Sequence, residues 1–293
     1  MIRIAFIMLC HTEPEQIRRL LKKLEEFRCA DVYIHVDLKH PEVREQIKEN
    51  ERVYILPEGK SFRIEWGGIN IVKATLELIR EVKTSSKEYD YIWLISGQDY
   101  PIVPVKEIER RLEENRGTNY IDVMSLDDPR YNWYRKLYEV PYPKWINKDS
   151  VPIKVFKRAY KLLTGGYSHT FRCFQKQKPF EGELAFGSQW WALTRDAAYE
   201  VLDYSDEHPE ILDYYRNIII PDESFFQTVF MMGTYSDALS HRLTYSLLGS
   251  NRRHPQILRE ANFEEILEIA REYCFARKFD TTSQGLIEKL DGD

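Results

Sequence analysis

Several features that would place this chain in a common functional class are missing from its 293 residues. The four cysteines stand far apart, with no CxxC pair and no Cys/His cluster, so we expect no structural zinc site and a reduced cytoplasmic setting. No stretch approaches the roughly 18–20 apolar residues of a membrane span. The opening MIRIAFIMLCH has no small-residue cleavage site, so we expect no signal peptide.

Motifs for common nucleotide and hydrolase chemistry are also lacking. No GxGxxG follows the first apolar run, where CHTEPE stands instead, and GxxxxGK[ST] occurs nowhere, which disfavours dinucleotide binding and P-loop phosphoryl transfer. No GxSxG marks a hydrolase nucleophile. The net charge of −5 argues against nucleic acid as the main partner, although it leaves room for a local basic pocket that binds an anion.

Short apolar runs alternate with amphipathic helical patterns in the first 125 residues. RIAFIML, DVYIHVD, RVYILP and YDYIWLIS are typical of buried strands, and the segments between them, such as EPEQIRRLLKKLEEF, are typical of helices. This alternation predicts an α/β fold with a mostly parallel, Rossmann-like sheet and helices on both faces. Because ligands bind beyond the carboxyl ends of such strands, residues 10–12, 37–39 and 96–99 are site candidates.

An irregular segment divides the rest of the chain. Residues 126–183 are basic, aromatic and without a clear period, and long irregular stretches inside a compact domain are usually functional or disordered. We interpret this segment as a substrate-facing insertion between residues 1–125 and residues 184–293. With no repeat and no flexible linker, residues 1–293 are predicted to form a single domain.

The stretch IIIPDESFFQTVF, residues 218–230, sets two carboxylates between apolar residues. An unpaired buried carboxylate is costly, so Asp222 and Glu223 should be solvated, ion-paired, capping a helix or taking part in chemistry. Pro221 and the two acids also suit the start of a helix over ESFFQTVFMM. Helix capping is therefore the structural alternative to a catalytic role.

The chain also lacks a usable Asp-x-Asp pair, with which many sugar-nucleotide transferases hold a divalent metal on the diphosphate. The only such pair is Asp291–Asp293, at the end of the sequence. If the protein is a transferase, Arg and Lys would have to neutralise the leaving diphosphate instead of a metal.

Seven blocks occur in an order that resembles one family: YIHVD, a Trp followed by a Gly pair, YIWLISGQDYPI, GSQWWALTRDAAYEVL, PDESFFQTVF, HP at His254-Pro255, and FARKFD. The core-2/I-branching glycosyltransferases (glycosyltransferase family 14) have the same order, and they include β-1,6-N-acetylglucosaminyltransferases and protein xylosyltransferases. The resemblance runs from Ile4 to Asp280 apart from the irregular segment. It implies a GT-A-like fold and inverting sugar transfer from a UDP donor, with neither a metal nor another cofactor.

The resemblance implies roles for individual residues. Glu223 resembles the catalytic base, which removes the acceptor hydroxyl proton, and Asp222 would cap the helix or orient the acceptor. Lys278 and Arg242 resemble the basic residues that hold the diphosphate. The Arg252-Arg253 pair is an alternative source of the charge assigned to Arg242.

Four further residues are assigned to the donor side, each with a structural alternative. His11 and Asp37 follow the first two strands and resemble residues near the uridine; the alternatives are a loop histidine and an N-cap for HPEVREQ. Asp99 lies in a turn that resembles the family's GxDxP turn and is either donor-binding or structural. Trp66 is a candidate wall of the donor pocket, with a place in the core as its alternative.

The remaining candidates lie in the second half of the chain. Arg277 is assigned either to the donor or to an ion pair with Asp280. Trp190 and Trp191 are assigned to the acceptor. Because consecutive strand residues face opposite ways, we expect one of them to pack in the core and the other to face the sugar.

Taken together, these features predict an inverting, metal-independent transferase. It would move N-acetylglucosamine from a UDP donor, bound by residues 1–125, to a glycan hydroxyl beside residues 184–293. The alternatives are a UDP-xylose donor, a metal-dependent transferase, and a non-catalytic glycan- or nucleotide-binding module. Because the chain lacks the disulfide cysteines and the membrane anchor of the animal members, we expect a bacterial enzyme, either free in the cytoplasm or peripheral at the inner face of the membrane.

Overall fold

The computed structural model describes residues 1–131, 152, 155, 159, 178–216, 218–247 and 255–292. The strands within these ranges are β1 (Ile4–Cys10), β2 (Ala30–Val36), β3 (Val53–Ile55), β4 (Tyr91–Ser96), β5 (Asp99–Pro101), β6 (Asn119–Tyr120), β7 (Met124–Ser125), β8 (Ala185–Phe186), β9 (Ala192–Thr194), β10 (Leu239–Ser240), β11 (Thr244–Ser246) and β12 (Phe275–Arg277). The helices described from end to end are α1 (Pro14–Leu24), α2 (Pro41–Glu45), α3 (Asn70–Thr84), α4 (Val105–Glu114), α5 (Arg195–Glu207), α6 (Pro209–Tyr215), α7 (Phe225–Met232), α8 (Phe263–Ile269) and α9 (Gln284–Asp291).

Seven strands form the central sheet, in the order β10-β6-β9-β4-β1-β2-β3. Strands β4, β1, β2 and β3 run parallel to one another, as do β10 and β6, whereas β9 is antiparallel to both of its neighbours. Smaller sheets of β11-β12-β5 and β7-β8 lie beside it. The predicted fold class, an α/β domain built on a mostly parallel sheet, is confirmed.

Helices cover both faces of the sheet because its central strands are apolar on both sides. In β1, Ile4, Phe6 and Met8 join one buried cluster, and Ala5 and Ile7 join the other. The first cluster contains residues of α1, α4 and α9, and the second contains residues of α3, α5, α6 and α7. Burial on two faces explains why these strands are continuous apolar runs rather than alternating ones.

The parallel strands bring the predicted site segments to one edge. β1, β2 and β4 all end at the same side of the sheet, so the residues that follow them lie there together. β12 reaches this edge by pairing antiparallel with β5, which places Arg277 opposite Asp99. Phe279 then donates its backbone N–H to the carbonyl oxygen of Gln98 at 2.7 Å.

Two helices differ from the sequence-based expectation. The pattern HPEVREQIKEN yields only the short helix α2, after which Ile47 turns inward and is buried in the first cluster. The helix expected over ESFFQTVFMM begins at Phe225, and a separate 3₁₀ turn, Pro221–Glu223, precedes it. Both carboxylates therefore lie on this turn, outside α7. Most of the predicted insertion, 126–183, lies outside the described residues.

Candidate active site

Asp37 joins the end of β2 to the loop that carries Trp66. Its Oδ1 accepts hydrogen bonds from the backbone N–H of Lys39 at 2.9 Å and of Ile64 at 3.2 Å. Its Oδ2 lies 3.8 Å from Lys39 Nζ. The alternative that Asp37 caps the next helix is wrong, because the N-cap position of α2 is His40. Direct contact between Asp37 and a uridine stays a prediction.

A cavity of about 530 Å³ opens beside Asp37. Ligand pockets commonly have volumes of roughly 300–1,000 Å³. Arg44 and Arg63 are among its lining residues, together with Glu58, so the cavity carries both cationic and anionic side chains. Sequence reasoning missed both arginines, because neither stands in a block that resembles the family.

His11 lies at the end of β1 among cationic neighbours. Its ring centre is 6.1 Å from that of His40. Although the residue has an exposed edge, the surrounding protein removes enough water to lower its pKa, and the positive charge of Lys278 lowers it further. The lowered pKa favours the neutral form of His11 near the cations Lys278 and Arg277. The structure thus brings His11 close enough to Lys278 for the charge of the lysine to act on it, and the donor role of both residues stays a prediction.

Lys278 follows β12 and is half-buried. Burial lowers the pKa of its ammonium group, the adjacent Arg277 lowers it further, and Asp99 opposes both effects. No ion pair engages its Nζ within the part of the chain that the structure describes. A partly dehydrated ammonium group without a counter-charge is well suited to bind an anion.

Arg277 is buried beside Lys278 and is held by two weak contacts. Its Nε lies 3.4 Å from Asp99 Oδ1, and neither atom makes a hydrogen bond among the described residues. Its guanidinium carbon lies 3.8 Å from the ring centre of Trp190. Burial lowers the pKa of Arg277. The predicted alternative, an ion pair with Asp280, is wrong, because Asp280 accepts a hydrogen bond from Thr282 N and caps the following turn.

Asp99 is fully buried, which corrects its assignment to the donor. Its Oδ2 accepts a hydrogen bond from Ser96 N at 2.8 Å. Burial raises the pKa of this carboxyl to about 6, against the lowering effect of Arg277. Asp99 has no exposed surface with which to contact a ligand, and its ion-pair partner is Arg277.

Both tryptophans belong to the second buried cluster, contrary to the expectation that only one of them packs in the core. Trp191 is 1% exposed and its ring lies 5.3 Å from that of Phe226. Its assignment to the acceptor is therefore wrong, because a ligand cannot reach it. Trp190 lies against Arg277 and is 9% exposed. An acceptor contact by Trp190 stays a prediction.

Backbone contacts fix the turn that carries Glu223. Its N–H donates to Ile220 O at 3.2 Å, and its carbonyl oxygen accepts from Gly187 N at 2.8 Å. A Cβ at position 187 would lie 1.9 Å from the carbonyl oxygen of Asp122, so only glycine fits there. Ser224 donates its hydroxyl to Ala185 O at 2.7 Å. The base candidate is thus held by an ordered backbone rather than by its own carboxylate.

Asp222 and Glu223 have unusual electrostatics. Burial raises the pKa of Asp222 to about 6, and its Oδ1 has no hydrogen-bond partner among the described residues. Burial raises the pKa of Glu223 to about 7, and the negative charge of Asp222 adds to that rise. Neither carboxylate forms a side-chain cap on α7, so the helix-capping interpretation is wrong. A carboxyl with a pKa near neutrality can accept a proton efficiently.

Trp66 lies beside this turn at the surface. It is 67% exposed, so the alternative of a core role is wrong. The next residue, Gly67, has a φ of +67° and accepts a hydrogen bond from Ile220 N at 3.1 Å. Trp66 is therefore free to contact a ligand close to Glu223, and its role as a wall of the donor pocket stays a prediction.

Arg242 is occupied by a different partner. Its side chain forms an ion pair with Asp122, and its Nε donates to Thr244 O at 2.9 Å. The sequence did not indicate Asp122 as the partner of Arg242. Arg277, rather than Arg242, is the arginine next to Lys278. The role of Arg242 at the diphosphate stays a prediction, and the alternative Arg252-Arg253 pair lies outside the described residues.

These contacts connect into one chain around the carboxyl edge of the sheet. Asp37 connects through Lys39 and Glu65 to the Trp66 loop, and that loop contacts the Glu223 turn. The turn contacts the segment 187–190 through Gly187, and that segment reaches Arg277 through Trp190. Glu223, Arg277 and Lys278 are thus connected through these contacts and the chain. Among the described residues, no group of three or more His, Cys, Asp or Glu side chains could hold a metal ion, and no helix is long and apolar enough to cross a membrane.

Comparison with known proteins identifies relatives over nearly the whole chain. A family model described as Core-2/I-Branching enzyme matches residues 4–269. Xylosyltransferase 2 from Canis lupus familiaris is 25% identical over 99% of this chain and 33% of its own length. Xylosyltransferase 1 from Rattus norvegicus is 24% identical over 99% of this chain and 35% of its own length. The chain therefore spans about a third of the length of these curated relatives.

A solved structure also covers most of the chain at low similarity. The apo form of mouse xyloside xylosyltransferase 1 aligns with a TM-score of 0.39 and 11% identity, over 94% of this chain and 97% of that chain.

Proposed function

This chain belongs to the core-2/I-branching enzyme family, and on that premise we propose that it is an inverting glycosyltransferase with Glu223 as its general base. The observation that supports this proposal most strongly is the state of Glu223. Its carboxyl has a pKa raised to about 7, its turn contacts the loop that carries Trp66, and no described residue forms an ion pair with it. A buried acid kept without a partner is costly unless it is used.

In the proposed reaction, Glu223 removes the proton from an acceptor hydroxyl. The acceptor oxygen forms a bond to the anomeric carbon of the donor sugar from the face opposite the diphosphate, and the bond from that carbon to the phosphate oxygen breaks. The proton stays on Glu223 and the electron pair of the broken bond leaves with UDP. Asp222 raises the proton affinity of Glu223 through its like charge, which makes Glu223 a stronger base.

The departing diphosphate gains negative charge in this step and needs a positive partner. We assign that role to Lys278 and Arg277, which are adjacent, partly or fully buried and close to His11. Preorganised charges of this kind act strongly where water is excluded. We place the nucleoside in the neighbouring cavity beside Asp37. On this proposal the chemistry requires no metal.

The identity of the donor sugar is a separate part of the proposal. The sequence alone favoured N-acetylglucosamine, but the curated relatives named above are xylosyltransferases. We therefore propose a xylosyl donor ahead of N-acetylglucosamine. The acceptor is a hydroxyl group, which we propose to be on a carbohydrate.

A screen of UDP-sugars tests this proposal without knowledge of the acceptor. Binding and slow hydrolysis would be measured for UDP-xylose, UDP-N-acetylglucosamine, UDP-glucose and UDP-galactose. The proposal predicts that UDP-xylose binds and is hydrolysed fastest. Hydrolysis of UDP-N-acetylglucosamine alone would restore the first expectation, and binding without hydrolysis or transfer would favour a non-catalytic binding module.

A further inference from the structure

The contact between Trp190 and Arg277 assigns Trp190 a role beyond those considered so far. We propose that Trp190 is a positioning residue of the leaving-group site, whose indole face holds the Arg277 guanidinium beside Lys278. This inference rests on the proposed function, since it concerns how the cations for the leaving diphosphate are kept in place.

Arg277 lacks a well-aligned ionic partner. A buried cation is stable only when it is paired and hydrogen-bonded. Charge-assisted hydrogen bonds between nitrogen and carboxylate oxygen measure about 2.7–2.9 Å, but Arg277 Nε lies 3.4 Å from Asp99 Oδ1. Neither of these atoms makes a hydrogen bond among the described residues. Asp99 therefore provides only part of what this guanidinium requires.

The contact with Trp190 provides the remaining stabilisation of the Arg277 guanidinium. The distance of 3.8 Å from the guanidinium carbon to the ring centre is well within the limit of about 6 Å for a cation–π contact, and tryptophan is the best aromatic partner. An indole face attracts the cation without carrying a formal negative charge. A well-aligned carboxylate at the same place would compete with a diphosphate for Arg277, whereas the indole leaves the net positive charge available.

The position of Trp190 along the chain adds a second reason. Gly187, three residues earlier, donates its N–H to the carbonyl oxygen of Glu223. Ser188 accepts a hydrogen bond at its carbonyl oxygen from Gln227 Nε2 at 2.7 Å, and its hydroxyl accepts one from Trp190 N at 3.3 Å. The segment 187–190 thus contacts the base at one end and the cation at the other. It fixes the relative placement of the two groups that act on the bond being made and the bond being broken.

Binding of UDP and of uridine distinguishes this role from a merely structural one. Calorimetric titrations would compare wild type, Trp190→Leu and Trp190→Phe, with Trp191→Phe as the control for loss of a buried neighbouring indole. We expect Trp190→Leu to weaken UDP binding about tenfold, or about 1.4 kcal/mol. Trp190→Phe should recover part of that loss, because an aromatic face remains. Uridine, which has no phosphate, should bind equally to all four proteins.

The inference is overturned if Trp190→Leu binds UDP as wild type does, or if uridine binding weakens as much as UDP binding. If Trp190→Leu does not fold, the UDP affinity of Trp190→Phe tests the inference instead. It would be measured both in the wild-type protein and in Arg277→Gln. Trp190→Phe should weaken UDP binding a few-fold in the presence of Arg277 and have no effect in Arg277→Gln, whereas an equal effect in both backgrounds contradicts the proposed contact. Failure of wild type to bind UDP at all would instead overturn the proposed function, and this inference with it.

Discussion

Ile220 donates its backbone N–H to the carbonyl oxygen of Gly67 at 3.1 Å, which fastens the loop of the exposed Trp66 to the turn of Glu223. Both residues have positive φ angles, +54° for Ile220 and +67° for Gly67. Isoleucine rarely adopts this conformation, because its branched side chain makes positive φ costly. Such strain is commonly kept at functional sites, and here the strained residue lies between the loop of Trp66 and the turn of Glu223.

Replacement of Trp66 by alanine should therefore impair substrate use without loss of stability. Surface substitutions usually change the free energy of unfolding by no more than about 0.5 kcal/mol, and Trp66 is mostly exposed. We expect kcat/KM for the donor to fall by about two- to tenfold, as for loss of one aromatic contact worth about 0.5–1.5 kcal/mol. Thermal melting would measure the stability of the variant, and steady-state kinetics would measure its kcat/KM for the donor. A kcat/KM equal to that of wild type would remove Trp66 from the site.

Replacement of Lys278 should affect both UDP affinity and turnover. Loss of one preorganised charge at a transition state typically costs about 2.7–4 kcal/mol, or two to three decades of rate. Lys278→Ala should lose about that much in kcat and also bind UDP more weakly, because the diphosphate is charged in the ground state. Lys278→Arg should recover only part, since a planar fork does not replace a compact ammonium group.

A surface lysine provides the matched control for this prediction. Lys289 is 46% exposed at its side chain and pairs with Glu260, so Lys289→Ala should leave UDP binding and turnover unchanged. Titration of UDP into Lys278→Ala, Lys289→Ala and wild type would show whether Lys278 contacts the diphosphate. Equal dissociation constants for Lys278→Ala and wild type would mean that Lys278 does not contact the diphosphate.

The buried carboxyls make stability depend on pH in a defined direction. The pKa of Asp99 and of Asp222 is raised from 3.8 to about 6, and that of Glu223 from 4.5 to about 7. A raised pKa means that the folded state prefers the protonated form. The stabilisation is fully present below about pH 4 and is lost as the pH rises through 6 to 7.

The variant Asp222→Asn removes one of these groups, together with the charge that raises the pKa of Glu223. One pKa unit corresponds to about 1.4 kcal/mol, so wild type should lose up to about 3 kcal/mol of unfolding free energy from Asp222 between pH 4 and 7, and the variant should not. Denaturant unfolding at several pH values would measure the difference between the two proteins. A difference that stays constant with pH would contradict the buried, unpaired state of Asp222.

Turnover should survive removal of divalent metals. On the proposed mechanism, Lys278 and Arg277 provide the positive charge that a metal supplies in other transferases. We expect the same kcat after exhaustive EDTA treatment as in the presence of manganese. Loss of activity with EDTA and its recovery with manganese would show that these cations do not suffice.

The sequence indicates the sheet and its ligand-binding edge because both follow from local patterns. Apolar runs and amphipathic helices repeat along the chain, and the rule that ligands lie at the carboxyl ends of parallel strands selects His11 and Asp37. The unusual placement of Asp222 and Glu223 between apolar stretches is also visible without a structure. These features require no knowledge of which distant residues meet.

The contacts that assign individual roles could not be predicted in this way. Trp190 and Arg277, or Arg242 and Asp122, are far apart in the sequence and meet only through the packing of the small sheets against the large one. For the same reason, sequence reasoning could not tell that Asp99 is fully buried or that Trp66 is exposed. Local spacing identifies the chemistry that is available, and tertiary packing decides which side chains can reach a ligand.

The most direct test of the account is the substitution Glu223→Gln, which keeps the shape of the side chain and removes its ability to accept a proton. A general base typically contributes about 10²–10⁴-fold, so kcat should fall by that factor with the preferred UDP-sugar while the dissociation constant of UDP stays unchanged. In wild type, kcat should rise with pH through about 7, where Glu223 loses its proton, and the residual activity of the variant should not show this rise. A variant that keeps more than about a third of the wild-type kcat, a loss far below the expected range, would contradict the assignment of Glu223 as the base.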